Sequence, residues 1–216
     1  MYLSPLTAES RPEELQRVIR DYPLGVLVTS GAAGMDANHL PFLLDESRGP
    51  NGTLIAHVAR ANPLWTEVAD GDVVLVVFRG AHGYISPNWL ESKHETHRQV
   101  PTWNYEVVHA HGTIRIHDDE KAVRGVVARL TRQHEAPLPQ PWKMSDAPAD
   151  YLAGQLRRIV GIEIEIVRLV GKRKLGQDEA PRDFASTIQA LEQLGQLDLA
   201  DAMKRARPAR PDALDQ

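Results

Sequence analysis

The sequence contains no cysteine. This absence excludes disulfide bonds, thiolate metal ligands and a cysteine nucleophile, and it is typical of proteins from a reducing compartment. The chain also lacks an apolar run of the length that a membrane-spanning helix needs. The start at Met1–Pro5 has neither the basic residues nor the long apolar stretch of a signal peptide. We therefore expect a cytoplasmic protein without a membrane anchor.

A strong charge of one sign is absent as well. The net charge is −4, with 25% charged and 42% apolar residues, which is ordinary for a globular protein and argues against direct binding to DNA. The clustered basic residues are Lys204, Arg205, Arg207 and Arg210. We interpret them as solvated charges of a C-terminal tail over residues 196–216, with a weak anion-binding arm as the alternative. Residues 1–195 then form a single domain with helical additions.

Two phosphate-binding motifs are also missing. No G-x-G-x-x-G follows a strand and no G-x-x-x-x-G-K-[ST] occurs, so the Rossmann and P-loop folds are excluded. Strand-like runs come first, helices lie between and after them, and regular βαβ alternation is absent. This order predicts the α+β class, as a closed or split β-barrel of antiparallel strands with flanking helices.

The expected elements follow from apolar spacing and turn residues. Helices are predicted over 10–21, 62–71, from Asp119, around 151–159 and over 183–195. Pro41 marks an edge or bulged strand, the run 73–78 is typical of a strand buried on both faces, and Gly112 suggests a break. Strands are predicted over 24–29, 36–45, 53–60, 73–78, 100–117 and 162–167, and loops over 80–89 and 171–177.

The segment Ala59-Arg60-Ala61-Asn62-Pro63 joins a strand to a helix. A helix start with Asn62 as the N-cap offers backbone N–H groups, and Arg60 adds a bidentate cation, so the pattern suits a phosphate. An ordinary capped helix with a surface arginine explains the same pattern. Spacing alone leaves both interpretations open.

Two further segments are rich in aromatic and hydroxyl side chains: Tyr84-Ile85-Ser86-Pro87-Asn88-Trp89 and Val100-Pro101-Thr102-Trp103-Asn104-Tyr105. A planar ligand with polar edges needs such a mixture of rings and hydrogen-bonding groups. Core aromatics beneath a long loop are the alternative. The basic segment 171–177 suits either an anion or a solvated turn, and its charge favours the turn.

Histidines are the remaining polar candidates. His109 and His111 lie two residues apart on a predicted strand, with His39 and His57 on other strands. A metal site is not predicted, because no carboxylate accompanies them at a suitable spacing. The run His94-Glu95-Thr96-His97 is one residue short of the H-E-x-x-H metalloprotease motif.

Taken in order, several motifs resemble the PaiB family of FMN-binding negative transcriptional regulators. The matching segments are Ala37-Asn38-His39-Leu40-Pro41-Phe42, His57-Val58-Ala59-Arg60-Ala61-Asn62-Pro63, Tyr84-Ile85-Ser86-Pro87, Val100-Pro101-Thr102-Trp103-Asn104-Tyr105, His109-Ala110-His111-Gly112, Ile159-Val160-Gly161-Ile162-Glu163-Ile164 and Gly171-Lys172-Arg173-Lys174-Leu175. The resemblance covers residues 1–195. It implies a homodimeric split barrel of the pyridoxamine-phosphate-oxidase-like type, with FMN at the dimer interface.

The resemblance also implies which residues contact the flavin. These candidates are Asn38, His39, His57, Arg60, Asn62, Tyr84, Ser86, Trp89, Trp103, Lys172, Lys174 and Gln177. Three functions stay open: a flavin-binding regulator, a flavin-dependent oxidoreductase of the same class, and a DNA-binding repressor. The third is disfavoured by the charge and by the lack of a convincing helix-turn-helix pattern. No catalytic residue is assigned, and His57, Tyr105 and His109 are the polar candidates for one.

Overall fold

The computed structural model describes residues 1–31 and 34–207, and the chain divides into two compact units. The first unit combines Met1–Arg11, Arg79–Val108 and the segment from Gly171 onward, and the second combines Pro12–Phe78 and His109–Val170. Arg210, which belongs to the predicted basic tail, lies outside the described residues. No helix in the described ranges is long and apolar enough to cross a membrane.

The described chain contains eight strands, seven α-helices and two short 3₁₀ turns, at Pro87–Trp89 and Met144–Asp146. The strands are β1 Ala8–Glu9, β2 Leu24–Gly31, β3 Gly34–Pro41, β4 Leu43–Asp45, β5 Thr53–Ala59, β6 Val73–Ile85, β7 Thr102–His117 and β8 Ile159–Lys174. The helices are α1 Pro12–Asp21, α2 Leu64–Glu67, α3 Glu91–Thr96, α4 Glu120–Glu135, α5 Ala149–Leu156, α6 Pro181–Gln193 and α7 Leu197–Ala206.

The strands form one sheet in the order β3-β2-β6-β7-β8-β5-β4, and β1 pairs with β8. The registers of β2 with β3 and β6, of β5 with β4 and β8, and of β1 with β8 are antiparallel. Strands β3 and β4 stand at opposite ends of this order, yet Phe42 alone separates them in the chain. The sheet must therefore curl back toward itself, as expected of the α+β split barrel.

Phe42 and helix α4 anchor the core of the second unit. The Phe42 ring is buried and meets the edge of Phe78 at a centroid distance of 5.8 Å. On α4, Val126 and Leu130 pack with Ile55 of β5 in one apolar cluster. These are the helix positions that apolar spacing predicts to face inward.

Two strands extend well beyond their predicted ends. Strand β6 continues to Ile85, so the segment 80–85 is not a loop, and its burial alternates rather than covering both faces, with Val73 76% exposed. Strand β8 begins at Ile159, which was predicted to be helical, and continues to Lys174 in place of the predicted basic turn. Its end is extended because it pairs with β1.

Gly112 does not break β7, which runs unbroken from Thr102 to His117. A Cβ at Gly112 would lie 2.4 Å from the carbonyl oxygen of Glu165. The glycine is therefore needed for the close approach of two strands, and the sequence alone does not distinguish this role from a strand break.

Helix α7, Leu197–Ala206, lies within the segment that was predicted to be a tail. It buries Leu199, Ala200, Ala202 and Met203 in the first unit. Asn104 donates from Nδ2 to the Met203 sulfur at 3.6 Å. The tail prediction is therefore wrong for residues 197–206. Its error came from treating Gly195 as the end of regular structure, whereas Gly195 has a φ of 72° in the turn between two helices.

Candidate functional site

Arg60 follows the last residue of β5 and is held in place by its neighbours. Its Nε donates to the carbonyl of Arg157 at 2.8 Å, and its Nη2 pairs with the carboxylate of Asp118. The hydrogen bond from Arg60 lowers the pKa of Asp118, and the guanidinium lies 5.5 Å from the Trp65 ring centroid. Within the described chain Nη1 makes no hydrogen bond, and the side chain is 38% exposed. The guanidinium therefore keeps N–H donors for an anion.

Asn62 bonds to the turn after Arg60, but the N-cap of α2 is Pro63, which makes no side-chain capping bond, so the prediction of Asn62 as the N-cap is wrong. Oδ1 of Asn62 accepts from the Leu64 N–H at 2.9 Å, and its Nδ2 donates to Oδ1 of Asn38 at 2.7 Å. Asn38 in turn donates to Asp36 at 2.8 Å. Helix α2 is a single turn whose first N–H group is already satisfied, so it does not supply the helix N-terminus that the phosphate interpretation invoked. Asn38 and Asn62 are brought together, while His39 lies exposed on β3.

His57 lies on β5 opposite Gly161 of β8 and is half-buried. Its Nδ1 is buried without a hydrogen-bond partner in the part of the chain that the structure describes. Burial lowers the pKa of His57, so the ring is neutral near physiological pH. A buried ring nitrogen of this kind normally meets a water molecule or a ligand.

The predicted aromatic candidates lie in the first unit. The His82 and Trp103 rings are stacked, with centroids 6.0 Å apart and planes at 19°, and Tyr84 meets Trp89 edge-on at 6.5 Å. Trp103 is 51% exposed and Tyr84 45% exposed. The alternative that placed these two rings in the core is therefore wrong.

An open groove of about 490 Å³ runs beside these rings. One wall is formed by His82, Tyr84 and Trp103, and the other by the turn and start of α7 at residues 195–199. A Cβ at Gly83 would lie 2.9 Å from the Leu199 side chain, so the glycine permits α7 to approach the strand. Sequence reasoning missed His82 because it treated 80–89 as a loop. The alternation of His82 with Tyr84 was the available signal.

The two predicted lysines contact neighbours in the first unit. Lys172 donates to the carbonyl of Tyr2 at 3.2 Å, and its Nζ lies 5.5 Å from the ring centroids of Tyr2 and Tyr105. Lys174 donates to Oγ1 of Thr102 at 2.5 Å. Both ammonium groups therefore help to hold the edges of β7 and β8. Either can serve a ligand only by sharing its donors.

Ser86 and Gln177 have local structural roles. The Ser86 hydroxyl accepts from the Asn88 N–H at 3.2 Å and so caps a 3₁₀ turn. Gln177 accepts from the Leu175 N–H at 2.8 Å and donates to the carbonyl of Arg173 at 2.6 Å. These bonds shape the loop after β8, and they leave little of the Gln177 amide for a ligand.

Each unit offers groups that suit one part of a flavin nucleotide, either its phosphate or its planar ring. In the second unit, Arg60 offers a cation for a phosphate and His57 offers a buried nitrogen that lacks a partner. In the first unit, Trp103 and Tyr84 offer exposed rings for a planar heterocycle.

The remaining histidines form no evident metal site. His109 and His111 lie with ring centroids 6.3 Å apart, and burial is the main cause of the lowered pKa of each. Within the described ranges no group of three or more histidine, aspartate or glutamate side chains is placed to hold a metal ion.

Comparisons with known proteins identify the family to which the chain belongs. The family model described as "Putative FMN-binding domain" matches residues 1–168. A protein of Emericella nidulans is 35% identical, over 90% of this chain and 92% of its own. The Bacillus subtilis "Protease synthase and sporulation protein PAI 2" is 26% identical over 89% of each chain. The flavocytochrome Anf3 of Azotobacter vinelandii shares the fold, with a TM-score of 0.57 and 12% identity over 85% of this chain and 78% of its own.

These matches confirm the resemblance to the PaiB family, the split-barrel fold and the FMN cofactor. They do not test the individual flavin contacts, which stay predictions. The chain is similar over most of its length to the PAI 2 protein of Bacillus subtilis. It belongs to the family described as "Putative FMN-binding domain".

Proposed function

We propose that this chain is a homodimeric FMN-binding protein with a regulatory role of the PaiB type, and that Arg60 binds the flavin phosphate. The observation that carries the flavin contact is the guanidinium at the end of β5, fixed on one side and supplied with unused N–H donors on the other. The regulatory role is supported by the Bacillus relative, whose name assigns it to protease synthesis and sporulation.

Preorganisation explains why Arg60 suits this task. The carbonyl of Arg157 and the carboxylate of Asp118 orient the guanidinium before any ligand arrives, so less side-chain entropy is lost on binding. A charge-assisted contact to phosphate contributes about 1.5–3 kcal/mol. Loss of that contact weakens binding by about tenfold to a hundredfold.

The test compares FMN with riboflavin, which lacks the phosphate. Arg60→Ala should weaken FMN by about tenfold to a hundredfold and leave riboflavin affinity nearly unchanged, as measured by quenching of flavin fluorescence. Arg124→Ala is the matched control, because Arg124 is an exposed arginine paired with Glu120 on α4. Asp118→Asn removes the carboxylate that pairs with Arg60 and leaves the positive charge of Arg60 in place.

If Arg60 has only a structural role, Asp118→Asn and Arg60→Ala should impair both flavins alike. That result would contradict the phosphate contact. If Arg60 binds the phosphate, Asp118→Asn should retain FMN or bind it more tightly, because a neighbouring negative charge is gone.

The dimer is supported by apolar side chains that a single chain leaves in solvent. Val100 in the first unit is 78% exposed, and Met35 and Val73 in the second unit are 79% and 76% exposed. A symmetric second copy is the commonest way to cover such residues. Sedimentation velocity over a dilution series should show a dimer that FMN tightens by mass action. A monomer that binds FMN normally at every concentration would refute the dimeric site.

An oxidoreductase is the second candidate, and the open groove beside Trp103 favours it. A groove of about 490 Å³ next to exposed rings is large enough for a planar reactant. Anaerobic mixing of the FMN-loaded protein with NADH or NADPH separates the two functions. Sustained bleaching of the flavin absorbance with turnover would favour the enzyme, and a stable oxidised spectrum would favour the regulator.

Direct DNA binding by the C-terminal helices is disfavoured by their charges. Helices α6 and α7 are joined by the short turn Leu194–Gln196, a spacing similar to that of helix-turn-helix proteins. The first turns of α7 nevertheless carry Asp198 and Asp201, and Lys204 pairs with Glu192. Acidic residues at this position would repel DNA phosphates. A salt-dependent, sequence-specific gel shift with promoter DNA would overturn this argument.

A further inference from the structure

A second cavity lies at the end of β5 opposite to Arg60. It has a volume of about 300 Å³ and is formed entirely by the second unit. Thr53 is the first residue of β5, whereas Arg60 follows the last, so this cavity is separate from the proposed phosphate contact. The polar and charged side chains that line it are Arg48, Thr53, Asp70, Thr113, Arg115, Glu163 and Glu165.

The base of the cavity is a fixed network of paired charges. Glu163 is 8% exposed and accepts two hydrogen bonds from Arg48, each at 2.7 Å. Arg129 adds a third hydrogen bond at 3.1 Å. Because the charges of Arg48 and Glu163 are matched to each other, neither is left for a ligand.

Two opposite charges in the cavity are left unmatched. Arg115 extends from β7 and Glu165 from the neighbouring strand β8, and both are exposed. Neither forms a hydrogen bond or an ion pair with any residue that the structure describes. The Glu165 side chain lies over the turn at Gly49, where a Cβ would be 3.4 Å from its Cγ. Asp70 adds a second carboxylate to the lining, and its Oδ1 accepts from the Ile116 N–H at 2.7 Å. The cavity thus presents the cation of Arg115 beside the carboxylates of Glu165 and Asp70.

This arrangement discriminates between ligand classes. A simple anion would be attracted by Arg115 but repelled by Glu165. A simple cation would be attracted by Glu165 but repelled by Arg115. A ligand that carries both charges close together can pair with Arg115 and Glu165 at once. The volume lies at the lower limit of ligand pockets, which span roughly 300–1,000 Å³, so the ligand must be small.

We propose that this cavity binds a small zwitterion of the α-amino acid type. The carboxylate of the ligand lies against Arg115 and its ammonium group against Glu165. The Thr53 hydroxyl already donates to the carbonyl of Arg48 at 3.1 Å, so its oxygen can take part with the ammonium only as an acceptor. The Thr113 hydroxyl adds a further donor or acceptor on the β7 side.

The test uses the FMN-loaded protein and the twenty common amino acids as probes. Each is screened at millimolar concentration by saturation-transfer NMR, and any that binds is then measured by calorimetry. Arg115→Ala and Glu165→Gln should each weaken that amino acid by about tenfold to a hundredfold while FMN affinity stays unchanged. Arg168→Ala is the matched control, since Arg168 is an exposed arginine of β8 that does not line the cavity.

Two analogues of the bound amino acid complete the experiment: its N-acetyl derivative and its decarboxylated amine. Both should lose most of the affinity, because each lacks one of the two charges. The proposal is overturned if no amino acid binds, or if either substitution leaves the affinity unchanged. It is also overturned if one analogue binds as tightly as the parent, which would identify a simple anion or cation site.

Discussion

Substitution of Glu163 by glutamine tests the buried ion network of the second unit. Hydrogen bonds from Arg48, opposed in part by burial, lower the pKa of Glu163 from 4.5 to about 2. A pKa that is lower in the folded than in the unfolded state means that the unfolded chain binds protons more tightly. The carboxylate therefore stabilises the fold above the unfolded pKa, and that contribution is lost as the pH falls through the folded pKa.

The size of the effect follows from the shift and from solvent exposure. A difference of about 2.5 pKa units corresponds to about 3.4 kcal/mol. The Glu163 side chain is 11% exposed but that of Arg48 is 41% exposed, so solvent screens part of the interaction. We therefore expect Glu163→Gln to lower the free energy of unfolding by about 2–3 kcal/mol near neutral pH. The difference from the unmodified protein should shrink toward about pH 2.

Urea unfolding of both proteins from about pH 7 down to about pH 3 measures this difference. Glu165→Gln is the control, since Glu165 is an exposed glutamate two positions along the same strand and has no ion pair with any described residue. Some acid sensitivity should persist in Glu163→Gln, because Glu9 also has a pKa of about 2. Equal stability of Glu163→Gln and the unmodified protein near neutral pH would refute the argument.

Three further substitutions test the fold. Gly112→Ala should lower the thermal midpoint sharply, with a loss of about 3 kcal/mol or more, because its Cβ would lie 2.4 Å from a backbone oxygen that cannot move aside. Asp119→Ala should cost about 1 kcal/mol in urea unfolding, since it removes the cap that accepts from the Ala122 N–H at 2.8 Å. Met203→Ala should cost about 2–5 kcal/mol, whereas Lys204→Ala, on the exposed face of α7, should cost little. Equal unfolding midpoints for Met203→Ala and Lys204→Ala would contradict the packing of α7 against the first unit.

Helices with an apolar stripe were predictable because their signal is local. The inward residues of α1, Leu15, Val18 and Ile19, are spaced as a helix requires, and the structure buries all three. The fold and the cofactor were predictable from the family motifs, because several of them occur in the family order along the chain.

The errors arose where a residue serves a contact distant in sequence. The run 80–89 was predicted to be a loop, yet Gly83 lies in strand β6, where a Cβ would be 2.9 Å from the distant Leu199 side chain. At the candidate site, the N-cap of α2 is Pro63 and not the predicted Asn62, whose side chain bonds to Asn38, 24 positions away. The partner of Arg60, Asp118, is 58 positions away. Such pairings depend on the folded sheet, so no local pattern contains them.

The pairing of β1 with β8 has a consequence for the order of folding. Ala8 pairs with Lys172 and Glu9 with Gly171, so β1 cannot pair until the much later strand β8 has been synthesised. By contrast, β2 and β3 are neighbours in sequence, with Leu24 opposite Pro41, and they can form a hairpin early. During synthesis the N-terminal segment must remain unpaired until β8 emerges. The first unit is therefore completed only after the segment from Gly171 onward has been synthesised, and a chain that stops before Gly171 would leave it unfinished.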